Sequence, residues 1–414
     1  MSTHPILAAL RRHKAGVVLI AMQIALTLAI VCNAIFIIGQ RIDRVNRPTG
    51  IDEANLFVVS QQWVGTQESD GPGAIEKIDS LVRADIDTLR RMPGVESVAP
   101  ANSMPLLNSS HTNGITLTPE QKTPTLTATI FEGDDKLINT LGVQLTAGRA
   151  FTAADVQPQG FHNDNVTPSV IVSQAAAEKL FPGQSAIGKM IYSDGKGTTI
   201  IGVVKLLESS MVNTFGENSD YYTIIEPVRV DGDTSRYVVK TRQGQQAAAM
   251  AAARDALFAA NPQRVIDADR GVRSFAEIRH DAYRSDRGMA ILMAVVCLIM
   301  LCVTAAGIVG LTSFWVGQRH RQIGVRRALG ARKIDILHYF QIENLMIAGG
   351  GAIVGVALAV GLNAWLMKHF EMDRIPVVYV LVGLIALVAL GQAAVFVPAR
   401  RASNVPPVSA TRAA

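Results

Sequence analysis

The stretch AGVVLIAMQIALTLAIVCNAIFIIG, Ala15–Gly39, carries no charged residue and decides what kind of protein this chain is. A helix rises 1.5 Å per residue, so about 20 apolar residues cross a hydrocarbon core of roughly 30 Å. Three later stretches share this length and character: Gly288–Val316, Leu345–Met367 and Val377–Val397. Because a helix satisfies its own backbone in lipid, the four stretches predict four transmembrane helices.

Basic residues predict the orientation of these helices. The three segments at 1–14, 317–341 and 398–414 together carry a net charge of about +11, whereas Gln40–Arg287 carries about −5. Since positively charged loops stay in the cytoplasm, both termini are predicted there, with Gln40–Arg287 in the periplasm of a bacterial inner membrane. The net charge of +5 is then a signal of topology and does not favour nucleic-acid binding.

The first span is predicted to remain as an anchor. Its apolar run is longer than the core of a signal peptide, and Gly39-Gln40-Arg41-Ile42 offers no cleavage site with small residues. Cys32, Cys297 and Cys302 all lie within spans, so the outer segment has no cysteine and must be stabilised by its own core.

The outer segment is predicted to be an α/β domain built on two strand–helix–strand units. In order, their elements are Leu56–Val59, Ile75–Leu89 and Val95–Ala99, then Tyr237–Val239, Gln245–Ala260 and a strand beginning at Val265. Two such units pair into one ferredoxin-like sheet. Between them, residues 102–227 are rich in Gly, Thr, Asp and Asn, and alternating segments such as Leu126–Ile130 predict a second, β-rich lobe.

The predicted fold is therefore an α-helical membrane protein with four transmembrane helices and a large α/β periplasmic domain, made of ferredoxin-like units plus a β-rich insertion. The predicted parts are an N-terminus and first span (1–39), the periplasmic domain (40–287), and a region at 288–414 with spans at 288–316, 342–367 and 377–397, a cytoplasmic loop at 317–341 and a cytoplasmic tail.

The periplasmic domain ends in a charged segment with a helical pattern, Ser274–Arg287. We expect this segment to continue without a break into the second span and to act as a rigid stalk. Its candidate functional residues are Phe275, Ile278 and Tyr283.

The stretch from Gly183 to Met190, GQSAIGKM, nearly matches the phosphate-binding loop G-x-x-x-x-G-K-[ST]. Met190 stands where a hydroxyl must reach magnesium, and the predicted helix Gln174–Leu180 precedes a strand, the reverse of the order that such a loop needs. We interpret the stretch as a turn. His111 and His162 have no metal-ligand spacing and no nucleophile elbow is present, so the chain is predicted to be non-catalytic, without cofactor or metal.

The loop at 317–341 is the strongest functional candidate. Ile323, Val325, Ala328 and Leu329 are apolar among arginines, which predicts an amphipathic helix, and Gly330 has the character of a helix C-cap with positive φ. Two interpretations stand side by side. The helix either lies on anionic lipid or seats its apolar face in a groove of a cytoplasmic partner.

These residues carry a resemblance to a known family. The run Arg321–Ala331, with Glu343 and Gly349-Gly350-Gly351 after it, is similar to the permease signature of the MacB/FtsX family of ABC transporters. Further similar segments, in order along nearly the whole chain, are Met92–Val98, Leu141-Gly142, Gly148–Phe151, Phe181–Gly183, Ile187–Lys189, Ile201–Val204, Pro398–Ala402 and Pro407–Ala410.

The resemblance implies a permease domain at 288–414 and a non-catalytic subunit that works as a homodimer or heterodimer with a second permease. It implies a cytoplasmic ABC ATPase bound in trans, carrying ATP and Mg, since the first span begins near residue 15. It implies mechanical transmission to the periplasm, for export of a peptide, drug or lipid-like substrate with a periplasmic adaptor and an outer-membrane channel. The coupling residues it assigns are Arg326, Arg327, Ala328, Leu329, Gly330, Ala331 and Glu343.

One departure concerns Gln322, where the family usually has Glu; it favours an unequal subunit in a heterodimer. Glu343 is expected either to reach headgroup depth or to pair with a loop arginine. Gln23, Asn33, Asn363 and Gln392 lie within spans and either line a polar path or bridge helices. Two other functions fit the same outline: a signalling device that activates a periplasmic enzyme, and a permease that extracts lipoproteins.

Overall fold

The computed structural model describes residues 14–65, 72–109, 111–159, 167–212, 219–230, 234–370 and 374–404. The chain divides into two compact units, a membrane unit (Met1–Asn46 with Ser285–Ala414) and an extramembrane domain (Arg47–Arg284). The predictions on His162 and Pro407–Ala410, and those on the charges of residues 1–13 and 405–414, lie outside the described residues.

The helices, in chain order, are α1 (Lys14–Asn46), α2 (Pro72–Arg90), α3 (Leu137–Leu141), α4 (Gln174–Leu180), α5 (Gln246–Ala260), α6 (Phe275–Ala282), α7 (Arg284–Gln318), α8 (His320–Ala328), α9 (Lys333–Phe370) and α10 (Val377–Ser403). The strands are β1 (Leu56–Trp63), β2 (Val95–Pro100), β3 (His111–Thr116), β4 (Leu126–Glu132), β5 (Leu145–Gly148), β6 (Gln157–Gln159), β7 (Ser169–Ser173), β8 (Met190–Ser193), β9 (Lys196–Val204), β10 (Thr223–Glu226), β11 (Val228–Val230), β12 (Thr234–Thr241), β13 (Arg264–Val265) and β14 (Val272–Ser274).

Helices α1, α7, α9 and α10 are each long and apolar enough to cross a membrane, which confirms the four predicted spans. α1 packs at the centre of this unit, with Leu28 and Cys32 fully buried. Gly351 and Gly355 of α9 let α9 approach α1 closely, since a Cβ on Gly351 would lie 2.7 Å from the Ala21 carbonyl oxygen. Small residues at such contacts are a common way for transmembrane helices to pack.

The four amides predicted within the spans all bridge helices or their connections. Gln23 donates to the Val303 carbonyl at 3.1 Å, and Asn33 donates to the Ala359 carbonyl at 3.1 Å. The two others are Asn363, which accepts from the Ile375 amide, and Gln392, which donates to the Gln341 carbonyl. The structure therefore favours the bridging interpretation over a polar path.

The first sheet of the extramembrane domain has the strand order β13-β1-β12-β2, and each neighbouring pair is antiparallel. With α2 and α5 following β1 and β12, this is the arrangement of two paired strand–helix–strand units. Phe57, Val59, Tyr237 and Val239 are buried in one core with residues of both helices. The predicted ferredoxin-like unit is confirmed, although β13 is only two residues long.

The inserted lobe spans β3 to β11; β6 pairs with β11 in a small sheet of their own, and the other strands form a larger second sheet. Its order is β5-β9-β7-β10-β4-β3-β8, and β8 also pairs with β9, so the ladder closes on itself. Closure removes exposed strand edges. Val170, Val172, Ile200 and Ile224 fill its core at 0 or 1% exposure, and the lobe is β-rich as its alternating sequence predicts.

The predicted unbroken stalk is wrong. α6 begins with a capping box between Ser274 and Glu277 and ends at Ala282, and α7 begins separately at Arg284. Between them Tyr283 leaves the helical conformation, with φ −98° and ψ 13°. The physical reason is burial: the Tyr283 side chain is 0% exposed and its hydroxyl donates to Glu208 at 2.8 Å.

Candidate functional site

The loop between α7 and α9 is folded into a short helix, α8, bounded by two breaks. At the first break Arg319 takes a non-helical conformation, with φ −100° and ψ 11°. At the second, Gly330 has φ +97°, its amide donates to the Arg327 carbonyl, and the Ala331 amide donates to the Arg326 carbonyl. These two bonds form a Schellman motif, in which glycine is favoured because it adopts positive φ without a steric cost.

Apolar side chains on the loop point two ways. Ile323 is 5% exposed and packs in the core of the membrane unit. Val325, Leu329 and Ile334 are exposed, by 46, 83 and 52% respectively. Leu329 is the most exposed of the large apolar side chains in the described part of the chain, and it stands at the end of a helix, where no neighbouring turn covers it.

The exposed apolar residues are surrounded by positive charge. Arg321, Arg326, Arg332 and Lys333 are all exposed, and no acidic residue occurs between Gly317 and Ile334. Gln322, the position that departs from the family pattern, is exposed as well. We call Val325, Leu329 and Ile334, with these four basic side chains, the basic–apolar surface of the loop.

Arg319 and Glu343 fasten the start of α8 to α9. The Arg319 guanidinium donates to both carboxylate oxygens of Glu343, at 3.1 and 3.0 Å, and Glu343 is 2% exposed. The same guanidinium lies 5.9 Å from the Trp315 ring centroid. Of the two alternatives for Glu343, the structure selects pairing with a loop arginine.

Arg327 fastens the other end of α8 to α10. Its guanidinium donates to the Ser403 carbonyl oxygen, in the last turn of α10, where a positive charge interacts favourably with the helix dipole. Arg326 instead lies over the Tyr339 ring, 5.2 Å from its centroid. α8 is therefore held at both ends by arginines that contact two different spans.

The structure separates the predicted coupling residues into two groups. Arg326, Ala328, Leu329 and Gly330 are exposed and stand together at the end of α8. The others, Arg327, Ala331 and Glu343, are half-buried or buried. Glu343 in particular cannot contact a partner directly, because its carboxylate is enclosed and paired with Arg319.

The predicted stalk residues lie inside the extramembrane domain. Phe275 and Tyr283 are 0% exposed and Ile278 is 1% exposed. Phe275 and Ile278 occupy the buried face of α6, whereas Tyr283 follows its last turn. These residues pack the domain and present no surface for a ligand.

The sequence offered a loop arginine as one of two alternatives for Glu343 without saying which arginine, and the structure identifies it as Arg319. A signal was available: Glu343 is an acid at the start of an apolar stretch, and such acids require a cationic partner. Arginines flank the loop on both sides, so spacing alone does not choose among them.

No three His, Cys, Asp or Glu side chains come together among the described residues as a metal would require. The GQSAIGKM stretch is a turn between α4 and β8, with Gly183 and Gly188 exposed at φ +67° and +79°. Helix precedes strand here, as the sequence predicts.

Two family models match the chain. The model described as MacB-like periplasmic core domain matches residues 20–257, and the model described as FtsX-like permease C-terminal matches residues 294–407.

Curated relatives include proteins named macrolide export ATP-binding/permease protein MacB. That of Agrobacterium fabrum is 27% identical over 354 residues, which cover 81% of this chain and 49% of the relative. That of Campylobacter jejuni is 28% identical over 284 residues, covering 65% of this chain and 42% of the relative. The chain thus spans about half the length of the curated relatives it matches.

Two solved structures are similar to part of the chain. The periplasmic region of MacB from Actinobacillus actinomycetemcomitans matches with a TM-score of 0.35 and 15% identity, over 58% of this chain and 97% of that one. The extracellular domain of the noncanonic ABC-type transporter YknZ from Gram-positive bacteria matches with a TM-score of 0.31 and 17% identity, over 52% and 98%.

Proposed function

The chain belongs to the family of ABC transporter permeases that combine a MacB-like periplasmic core domain with an FtsX-like permease region, and we propose that it passes the energy of ATP from an ABC ATPase to its extramembrane domain. The observation that carries this proposal is the basic–apolar surface. An 83% exposed Leu329 beside exposed arginines is costly to leave in water and fits an apolar pocket with an acidic rim on a protein partner.

The contacts of α8 supply a mechanism. An ATPase that moves α8 also moves α7, to which α8 is joined at Arg319. Through Glu343 and Ser403 the same displacement reaches α9 and α10. ATP-driven closure of two ATPase subunits would draw two such loops together and shift these spans as a group. In this mechanism the spans transmit a movement across the membrane and do not form a pore.

We propose export as the direction of work, since the matched relatives carry that word in their names. The proposed assembly is a dimer of permeases in the bacterial inner membrane, with both termini and α8 in the cytoplasm and the extramembrane domain in the periplasm. Its proposed partners are an ABC ATPase on a separate polypeptide, a periplasmic adaptor and an outer-membrane channel.

The test is purification of the tagged chain from its native membrane in mild detergent, with mass spectrometry of the proteins that accompany it. We expect an ABC ATPase in the eluate, and we expect Leu329→Asp to lose it because a carboxylate cannot enter an apolar pocket. Val64→Asp is the matched control, since Val64 is an apolar residue of the extramembrane domain with 55% exposure. An ATPase retained by Leu329→Asp would contradict the proposed docking surface.

A further inference from the structure

The two residues of the extramembrane domain that adjoin α1 and α7 in sequence, Arg47 and Tyr283, lie together in one buried ionic cluster. Arg47 directly follows α1, and Tyr283 directly precedes α7. The Arg47 guanidinium donates to a carboxylate oxygen of Glu208 and, at 3.1 Å, to the Tyr283 hydroxyl. The Tyr283 hydroxyl donates to the same Glu208 oxygen at 2.8 Å, so one carboxylate holds both chain connections.

Glu208 belongs to the inserted lobe, where it lies between β9 and β10 and is 0% exposed. Its amide donates to the Thr49 carbonyl at 2.8 Å, which adds a main-chain contact to the side-chain ones. Gly50 has φ +85°, and a Cβ there would lie 2.1 Å from the Leu206 carbonyl oxygen. The segment that follows α1 and the loop that carries Glu208 are thus packed without space between them.

A second layer of polar contacts surrounds these residues. Arg279 of α6 donates to Glu53 at 2.5 Å and to the Arg47 carbonyl at 2.7 Å. Arg47 also donates to Asp220, and the Tyr221 hydroxyl donates to the Pro48 carbonyl at 3.0 Å. Two segments of the inserted lobe, around Glu208 and around Asp220, therefore both contact the chain next to α1.

The break at Tyr283 places the residue between α6 and α7 in this cluster. A continuous helix would carry a displacement of α7 along its own axis. Here the helix ends at Ala282 and restarts at Arg284, and the side chain of Tyr283, between them, contacts Glu208 and Arg47. Coupling between distant sites travels through such contiguous hydrogen-bonded contacts.

We propose that Glu208 is a positioning residue that joins both chain connections, at Arg47 and Tyr283, to the inserted lobe, so that a displacement of the spans reaches that lobe. This inference rests on the proposed function, because it assumes that an ATPase moves the spans. The inserted lobe is then the part of the domain that moves with the spans, and the buried carboxylate of Glu208 makes the connection.

The experiment compares hydrogen exchange with and without ATP, in the full chain reconstituted in lipid nanodiscs with its co-purified ATPase. In the wild type we expect ATP-dependent changes in α8, in the first sheet and in β7 and β9 of the lobe. In Glu208→Gln we expect the change in β7 and β9 to be lost while that in α8 remains, because the substitution keeps the shape and removes the charge. The matched control is Glu120→Gln, an exposed acid of the same lobe.

Tyr283→Phe guards against a folding defect, since it keeps the ring and removes one hydrogen bond to Glu208. Exchange of β1 and β12 without ATP should equal that of the wild type in both variants, whereas a merely structural role would raise it. If the wild type responds and the lobe response also survives in Glu208→Gln and Tyr283→Phe, the proposed role of Glu208 is overturned, while the proposed function of the chain stands. A wild type with no response anywhere would overturn the proposed function, and this inference with it.

Discussion

The loop around α8 and the buried ionic cluster of Arg47, Glu208 and Tyr283 both contain arginine, but they differ in exposure. On the loop, Arg321, Arg326 and Leu329 are exposed, Leu329 by 83%. In the cluster, Arg47, Glu208 and Tyr283 satisfy one another, and the acid and the tyrosine are 0% exposed. The loop therefore presents the surface that we propose for docking, whereas the cluster holds segments of one domain together. Burial, more than composition, therefore separates a docking surface from an internal connection.

The largest expected effect comes from a fully buried ion pair. Asp85 and Arg264 are about 1 and 0% exposed and form two bonds at 2.8 and 2.9 Å. Removing the acid leaves a buried, uncompensated charge, so Asp85→Ala should lower the free energy of unfolding by about 3–5 kcal/mol. Hydrogen exchange of β1 and β12 measures this loss.

The control is Asp87→Ala on the same helix, where the carboxylate is 56% exposed and its pairing with Arg90 is weak. It should change stability by no more than about 1 kcal/mol. Equal losses in the two variants would contradict the distinction between buried and exposed charges.

The next effect concerns the pair that fastens α8. Glu343→Gln removes the charge opposite Arg319 and should destabilise the start of α8 by about 2 kcal/mol, the usual contribution of a hydrogen bond to a charged group. Faster amide exchange in residues 320–328, with exchange of α1 unchanged, is the expected result. Unchanged exchange in α8 would mean that the pair does not hold the loop.

A smaller effect is expected at the turn that follows α8. Gly330→Ala should cost about 1–2 kcal/mol, because φ +97° is unfavourable for any residue with a Cβ. Gly349→Ala is the matched control: Gly349 lies inside α9 and a Cβ there meets nothing within 4 Å. Equal stability of the two variants, measured by exchange of the last turn of α8, would refute a structural need for glycine at Gly330.

The smallest effect is a dependence of the lobe on pH. Glu132 and Glu226 are register partners on β4 and β10, and burial raises the pKa of each to about 7. For Glu132, the charge of Glu226 contributes to this rise after burial, and the Nε2 of His111 lies 3.8 Å from its Oε1.

Both carboxyls thus keep their protons to a higher pH in the folded state than in the unfolded state. Stability should then fall by about 1 kcal/mol as the pH rises from about 6.5 to 8, since the folded state binds more protons in this window. Exchange of β4 and β10, corrected for intrinsic rates, measures the change, and Glu226→Gln should reduce it. Stability that rises with pH would contradict this sign.

Local sequence patterns predicted the helices and strands well, but they did not predict the contacts between elements that are distant in sequence. The predicted helix Gln174–Leu180 matches α4, and Gly330 has the predicted positive φ, because both depend on a few neighbouring residues. The break at Tyr283 could not be predicted, since it depends on Glu208, which lies 75 residues away. The sequence allowed a loop arginine as the partner of Glu343, but only the packing of the helices identifies Arg319.

The closure of the inserted lobe also lies beyond local patterns. Alternation predicted strands such as β4, but the pairing of β8 with both β3 and β9 depends on the whole lobe. The exposure of Leu329 and the burial of Ile323 could not be predicted either. Both residues are apolar, and only the packing of α8 shows which one is exposed.

The most direct test of the central claim, that α8 couples an ATPase to the extramembrane domain, is insertion of one alanine after Gly330. We would measure ATP-dependent hydrogen exchange in the extramembrane domain of the reconstituted complex, together with ATP hydrolysis. The insertion lengthens the non-helical turn between α8, which ends at Ala328, and α9, which begins at Lys333, so it displaces Val325 and Leu329 relative to Ile334. We expect hydrolysis to continue while the exchange response of the domain is lost. A full response in the insertion variant would contradict coupling through α8.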